Sequence, residues 1–278
     1  MMKTAQVAVD LLREAAWRKW FLGLFFAISA TLVLLGFSLQ LDVVDGAIAG
    51  SSFFGEVLFE EIRTASAALA PLFMGTTIAG AMVGAMFLSV ACSDFAPSLL
   101  SPGRIEHLLS LPVTRAQLLF GTWLGGLAVA IVSTLYATAG VLVLLGVKTG
   151  VWNFMLLVGA LIGVIVFATV YAVMMLAAVL VRSAAFCAAV GLATVVLGIV
   201  SSARAGIAKA IDPGVGRQVF EWAMVPIPRL GSLAVRAAFL TGDHTFDVGE
   251  LWRYLAGAVF FSAGMLLVAL FVFERKDF

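Results

Sequence analysis

The sequence is poor in charge, and this scarcity bears on its fold class. Only 12% of the residues are charged, whereas 63% are hydrophobic. A water-soluble globular domain has about a quarter charged residues and about half apolar ones. The excess of apolar surface therefore has to face lipid, which argues against a soluble protein.

Histidine and cysteine are also scarce, and neither offers a metal site. Cys92 and Cys187 have no metal-ligand spacing and are too few for a disulfide framework, so we interpret them as small packing residues. His107 and His244 fall on opposite sides of the predicted membrane. The net charge is +1, so the sequence indicates no nucleic-acid partner.

Catalytic motifs are missing as well. No G-x-x-x-x-G-K-[ST] motif occurs, so we expect no ATP hydrolysis by this chain alone, and there is no H-E-x-x-H motif. No apolar stretch carries a pair of acidic residues, which argues against an aspartyl protease or a proton-coupled transporter. We therefore expect no enzyme activity and no cofactor in this chain.

What the sequence has instead is six long apolar stretches. About 20 apolar residues are needed to cross a bilayer as a helix. The sequence therefore predicts an all-α integral membrane protein with six transmembrane helices in a single domain, residues 1–278. The predicted spans are Trp20–Leu41, Ala65–Ala91, Leu118–Val147, Phe154–Val181, Ala184–Ser201 and Tyr254–Phe273.

Three segments between or before the spans have their own character. Residues 1–19 repeat apolar residues at helical spacing and predict an amphipathic helix in the membrane interface, the alternative being a solvated leader. Phe53–Arg63 shows a similar pattern and predicts a second interfacial helix. Residues 202–252 form the longest polar stretch and predict short helices at the extracytoplasmic mouth of the bundle. Arg18 and Lys19 directly precede the first span, which favours cytoplasmic termini.

Two groups of span residues are candidates for a function. Small residues in the fifth span allow close helix approach, either within the chain or against a second chain, namely Ala184, Ala188, Gly191 and Gly198. Hydroxyl groups in the third span are candidate pathway residues, namely Ser133, Thr134, Tyr136 and Thr138.

The segment 93–117, between the second and third spans, is the most informative. Its core predicts a short amphipathic helix over residues 103–110, with Ile105, Leu108 and Leu109 as an apolar knob. Pro112 ends this helix, and Arg115 begins the next one. Such a knob fits a groove on a partner protein, the alternative being membrane headgroups.

This segment resembles a known family. Gly103, Glu106, Leu108-Leu109-Ser110, Pro112-Val113-Thr114-Arg115 and Leu118-Leu119-x-Gly121 are similar to the pattern between spans two and three of type-2 ABC exporter permeases. The ending Phe273-Glu274-Arg275-Lys276-Asp277-Phe278 also resembles that family's C-terminus. Within the family, the chain is most similar to stand-alone permeases such as the membrane subunit of the copper-site maturation transporter for nitrous oxide reductase. The chain departs from the pattern at Pro102-Gly103-Arg104, where an acidic-Gly-Thr run is usual, and at Thr122, where Lys is frequent.

The resemblance implies a transport subunit in a bacterial inner membrane. The segment 103–115 would be a coupling helix docked in a separate ABC ATPase, present in two copies that hold ATP and Mg²⁺. A second permease chain, identical or homologous, would complete the assembly. The residues implied in coupling are Gly103, Arg104, Ile105, Glu106, His107, Leu108, Leu109, Pro112 and Arg115.

Other functions stay open on the sequence. A secondary transporter or channel would show charges or broken helices inside the membrane, and no such charges are evident. A membrane scaffold would use the segment 93–117 for another partner, and an intramembrane enzyme is a third alternative. The apolar spans favour a lipid-like or hydrophobic cargo, and force transmission to a partner protein is a further reading.

Overall fold

The protein is described by a computed structural model that covers Thr4, residues 6–9, Arg13 and residues 19–44, 47–53, 56–59, 63–110, 113–242 and 247–276. These residues are predominantly helical. In chain order the helices are α1 (Lys19–Ser38), α2 (Ala65–Ala91), α3 (Phe95–Leu99), α4 (Arg104–Ser110), α5 (Arg115–Thr149), α6 (Met155–Val181), α7 (Ala184–Ala210), α8 (Val215–Met224), α9 (Leu230–Thr241) and α10 (Val248–Glu274).

Five segments of the described chain are long and apolar enough to cross a membrane, namely α2 with α3, α5, α6, α7 and α10. At 1.5 Å per residue, a helix of 27 residues such as α6 is about 40 Å long and exceeds the hydrocarbon core of about 30 Å. This supports the prediction of a helical multi-pass membrane protein. Helix α1 corresponds to the first predicted span, but its described apolar part, Phe25–Ser38, is too short to cross on its own. The count of six spans therefore stays a prediction.

The N-terminal segment is described only in part. Thr4, residues 6–9 and Arg13 are helical, as predicted for residues 1–19. Val7 packs against the core of the bundle, and a Cβ atom built on Gly121 of α5 would lie 2.7 Å from the Val7 Cβ. This part of the segment therefore contacts protein, and the rest of the predicted amphipathic helix lies outside the described residues.

A small antiparallel sheet follows α1. Strand β1 (Leu39–Val44) pairs along β2 (Ala47–Phe53), while β3 (Glu56–Phe59) and β4 (Arg63–Thr64) pair with opposite ends of β2. The interfacial helix predicted at Phe53–Arg63 is therefore wrong, since its described residues are strand. Gly55 disfavours a helix in this segment, and the pairing of Glu56–Phe59 and Arg63 with β2 satisfies the backbone instead.

Helix α6 lies at the centre of the bundle. Its sequence carries no charged residue and is apolar on every side, which is typical of a buried or membrane-spanning helix. Helices α2, α5, α7, α9 and α10 all pack against it. Phe167 and Tyr171 fill its middle as fully buried, stacked rings with centroids 5.4 Å apart.

The fifth predicted span continues beyond its expected end. Helix α7 runs to Ala210 rather than stopping at Ser201. The sequence that follows Ser201 is rich in alanine, the strongest helix former, so Arg204 and Lys209 lie within the helix instead of in a loop.

Helix α9 is inserted into the bundle, although residues 202–252 were expected at its mouth. Leu230, at the start of α9, lies against Gly198, twelve residues and about 18 Å before the end of α7. The Ser201 hydroxyl donates to the carbonyl oxygen of Met224, the last residue of α8 (3.3 Å), or to that of Ile227 in the turn between α8 and α9 (2.9 Å). The short helices are present, but their placement at the mouth is wrong for α9. Its buried residues are Leu230, Leu233, Ala234, Ala237, Ala238 and Thr241.

The far end of α9 is fixed by two polar contacts. The Asn153 Nδ2 donates to the Thr241 carbonyl oxygen at 2.7 Å. The hydroxyls of Thr77 in α2 and Thr241 are hydrogen-bonded at 3.3 Å. Helix α9 is thus held by α7 at one end and by α2 and the α5–α6 loop at the other.

Candidate functional site

The segment that carries the family resemblance forms a compact elbow at one end of the bundle. Gly103 directly precedes α4 and has a φ of +80°, a backbone conformation that residues with a side chain rarely adopt. The Ile105 amide then donates to the Ser101 carbonyl oxygen at 3.1 Å. The predicted short helix is therefore present as α4, from Arg104 to Ser110.

The apolar side of α4 faces the chain's own core. Ile105 is only 1% exposed and belongs to the main hydrophobic cluster, and Leu108 is half-buried against the same cluster. The prediction that Ile105 is available to a partner groove is therefore wrong. Its physical reason is that α4 lies on the bundle instead of projecting from it, so this residue already has an apolar environment.

The opposite side of α4 is open to solvent. Gly103, Glu106 and Ser110 are exposed, and Arg104 is partly exposed. The side chains of His107 and Leu109, and the whole of Pro112, lie outside the described residues. The accessible surface of α4 is therefore polar among the described side chains, with Glu106 as its carboxylate.

A capping box fixes the start of α5 directly after this segment. The Thr114 hydroxyl accepts from the Gln117 amide at 3.2 Å, and Gln117 Oε1 accepts from the Thr114 amide at 3.1 Å. This reciprocal pair satisfies two backbone donors that a helix start leaves open. The entry angle of α5 is therefore defined by local bonds.

Arg115 joins the start of α5 to the end of α10. Its Nη1 lies within hydrogen-bond distance of the carbonyl oxygens of Phe273 (2.7 Å), Glu274 (3.1 Å) and Lys276 (2.8 Å). A cation at a helix C-terminus satisfies open carbonyls and complements the helix dipole. Arg115, which the resemblance implies in coupling, is therefore directed to the chain's own C-terminus.

Lys276 extends this connection to α6. Its Nζ donates to the carbonyl oxygens of Val179 (2.6 Å) and Leu180 (3.1 Å), which cap the end of α6. The basic residue in the predicted C-terminal motif therefore has a structural partner. Arg115 and Lys276 together, which we call the cationic clasp, tie the ends of α5, α10 and α6 to one another.

The small residues of α7 pack within the chain at two of their four positions. A Cβ on Gly191 would lie 2.7 Å from the Met174 Sδ and 2.9 Å from the Ser89 Cβ, and Gly198 is covered by Leu230. A face for a second chain is therefore wrong at these two glycines. Ala184 and Ala188 are only half-buried.

The candidate pathway hydroxyls do not converge on one surface. Ser133 is buried, and the structure records no hydrogen-bond partner for its hydroxyl. Tyr136 points instead at α1, where its hydroxyl lies 2.9 Å from the Ser29 hydroxyl. Thr134 and Thr138 are partly exposed. Four hydroxyls spread around α5 do not line a pathway within one chain.

The sequence reasoning missed a cleft at the other end of the bundle. It lies between α7 and α8 and has a volume of about 430 Å³. The sequence did not predict it, because the residues after Ser201 were assigned to a loop instead of to α7. Its lining residues are Arg204, Ala205, Ala208, Glu221, Trp222 and Val225.

The fold thus defines a helical membrane protein with five candidate spans in the described chain. Comparison with protein-family models and with curated proteins gives no match.

Proposed function

We propose that this chain is the transmembrane subunit of an ABC transporter, an exporter by the resemblance of residues 103–121 and of the C-terminus. A separate ATPase subunit, in two copies, would bind ATP and Mg²⁺ and dock on α4. One observation carries the proposal. Ile105 of helix α4 is buried in the hydrophobic core of the bundle, while Glu106 and Ser110 of the same helix are exposed.

An anchored helix with an open polar side suits the transfer of motion. A force on the exposed side of α4 reaches the core through Ile105 and reaches α5 through the Thr114 capping box. The cationic clasp passes it on to α10 and α6. An ATPase dimer that closes on ATP would shift the spans by binding one permease arrangement more tightly than the other.

The proposal includes a topology of six spans, with α1 as the first. Both termini and α4 would lie in the cytoplasm of a bacterial cell, and the spans would lie in its inner membrane. Basic residues beside span ends favour the cytoplasmic side, and the proposed orientation rests on Arg18 and Lys19, which directly precede the first predicted span.

A second permease chain, identical or homologous, completes the proposed transporter. Because Gly191 and Gly198 are covered within the chain, its contact surface has to lie elsewhere on the bundle. The cargo we favour is lipid-like or hydrophobic, since the described spans carry few polar groups. A partner protein that receives the motion is the alternative cargo.

The test is photo-cross-linking from the open side of α4 in the cells that produce this protein. A photoreactive residue replaces Glu106, and the control variant carries it at Val219, which is exposed on α8 at the other end of the bundle. We expect position 106 to capture a protein with a G-x-x-x-x-G-K-[ST] motif whose ATP hydrolysis rises on addition of the purified chain.

The same experiment distinguishes the other functions. Capture of a protein without an ATP site at position 106 would favour a membrane scaffold. Absence of any position-specific product, with transport retained in liposomes without ATP, would favour a secondary transporter. Either result contradicts the proposal.

A further inference from the structure

The cleft between α7 and α8 combines apolar walls with one arginine. The indole of Trp222 and the side chain of Val225 form one wall, and both residues are highly exposed. The small side chains of Ala205 and Ala208 on α7 leave room between the two helices. Arg204 lies among them and is partly buried.

The position of the cleft along α7 matches a membrane boundary. Arg204 lies twenty residues after Ala184, the first residue of α7 at the α4 end of the bundle. This separation corresponds to about 30 Å along the helix, which is the thickness of the hydrocarbon core. Tryptophan is enriched at such boundaries because its ring is amphipathic, and Trp222 is 77% exposed there.

Among the described residues, the carboxylate that lines the cleft is paired with an arginine other than Arg204. Glu221 forms an ion pair with Arg217 at 2.9 Å, one turn away on α8. No carboxylate among the described residues forms an ion pair with Arg204. A partly buried guanidinium beside apolar walls is stabilised by an anion, and its planar donors fit a phosphate with two hydrogen bonds.

We infer that the cleft binds one phospholipid from the leaflet opposite α4, with its phosphate at Arg204. Glu221 lies on the same rim, and Arg217 engages only one of its carboxylate oxygens, Oε1. Its second oxygen suits the ammonium group of a zwitterionic headgroup, so the expected lipid is a phosphatidylethanolamine. Leu197 lies two turns from Arg204 on the same side of α7 and is exposed, so it continues the apolar surface towards the acyl chains. This site does not depend on coupling to an ATPase.

The test is a lipid titration of the delipidated, purified chain followed by native mass spectrometry. Dioleoylphosphatidylethanolamine is added to the wild type, to Arg204→Gln and to Lys209→Gln. Lys209 is the matched control, because it is an exposed cation on α7 that does not line the cleft. A lost charge-assisted hydrogen bond corresponds to about a tenfold or greater loss in affinity for the first lipid, expected only for Arg204→Gln.

Two further arms identify the source of the phosphate. Trp222→Ala should weaken lipid binding, while inorganic phosphate at millimolar concentration should not displace the lipid. Displacement by phosphate alone would overturn the lipid assignment, and tighter binding of dioleoylphosphatidylglycerol would overturn the zwitterionic headgroup. Equal losses of lipid affinity in Arg204→Gln and Lys209→Gln would show that general surface charge, and not a site at Arg204, binds the lipid. That result would also overturn the inference.

The variants also distinguish a lipid from a second copy of the chain. Each is first checked for an unchanged thermal unfolding midpoint, and Trp222→Ala, which removes an exposed ring, serves if Arg204→Gln does not fold. Two results together would contradict the inference: dimerisation of the wild type through Trp222, and binding of the lipid to Trp222→Ala as tight as binding to the wild type.

Discussion

The contact between α7 and α9 gives a prediction in which packing can be separated from helix propensity. The change is Gly198→Ala. A Cβ at this position would lie 2.8 Å from the Cγ and Cδ1 of Leu230 and 2.9 Å from its Cβ. Because the Leu230 Cβ is attached to the backbone of α9, a new rotamer does not relieve the contact. Helix α9 itself has to move.

The matched control is Gly80→Ala in α2. A Cβ on Gly80 meets nothing within 4 Å, so only the propensity of the helix changes. Alanine is favoured over glycine in a helix by about 1 kcal/mol, and this gain is common to both variants. The difference between them is the cost of overpacking at Gly198, about 1–3 kcal/mol.

The measurement is the thermal unfolding midpoint of both variants in the same detergent. About 1 kcal/mol corresponds to about 2–4 °C in a chain of this size, so Gly198→Ala should unfold about 2–12 °C below Gly80→Ala. Equal midpoints for the two variants, together with weaker pairing of two chains in Gly198→Ala, would refute the internal packing and restore a contact between subunits.

Three further predictions follow from buried and capping contacts. Ile105→Asp places a charge in the core and should prevent recovery of folded chain. The control Glu106→Lys, on the exposed side of α4, should elute as the wild type does in size-exclusion chromatography. Equal recovery of the two variants would contradict the burial of α4 against the bundle. Arg115→Gln removes a cation from the end of α10 and should lower the free energy of unfolding by about 1.5–3 kcal/mol. Faster hydrogen exchange at that helix end is the measurement, and unchanged exchange would contradict the clasp. Asn153→Ala should cost about 1 kcal/mol in thermal unfolding, because α9 loses a hydrogen bond to its last carbonyl; a midpoint equal to that of the wild type would show that this contact does not hold α9.

The spans could be predicted from the sequence because lipid demands long apolar helices. The prediction for Ala65–Ala91 agrees with α2 at both ends, and the fourth span differs from α6 by one residue. The insertion of α9 into the bundle was missed, since a helix of twelve residues is too short for a span and this one contains Arg236. Its small residues, Ala234, Ala237 and Ala238, were the available signal for close packing against neighbouring helices.

The candidate site was found by its motif, but its orientation could not be predicted. A seven-residue amphipathic helix has the same pattern whether its apolar side faces its own bundle or a partner. The pattern around Ile105 therefore predicted the helix correctly, but it assigned Ile105 to a partner protein instead of to the chain's own core. Arg115 and Lys276 were singled out as motif residues, yet their partners are backbone carbonyl oxygens, which leave no trace in a sequence pattern.

The account depends most on docking at the open side of α4, and ATP hydrolysis tests this directly. The cross-linked ATPase is reconstituted in liposomes with the wild-type chain, with Glu106→Lys, or with Asp212→Lys as a charge-matched control at the other end of the bundle. Coupling free energies of about 1–3 kcal/mol predict a loss of stimulation of about fivefold or more for Glu106→Lys alone. Stimulation by Glu106→Lys equal to that by Asp212→Lys and by the wild type would contradict the assignment of α4 as the coupling helix.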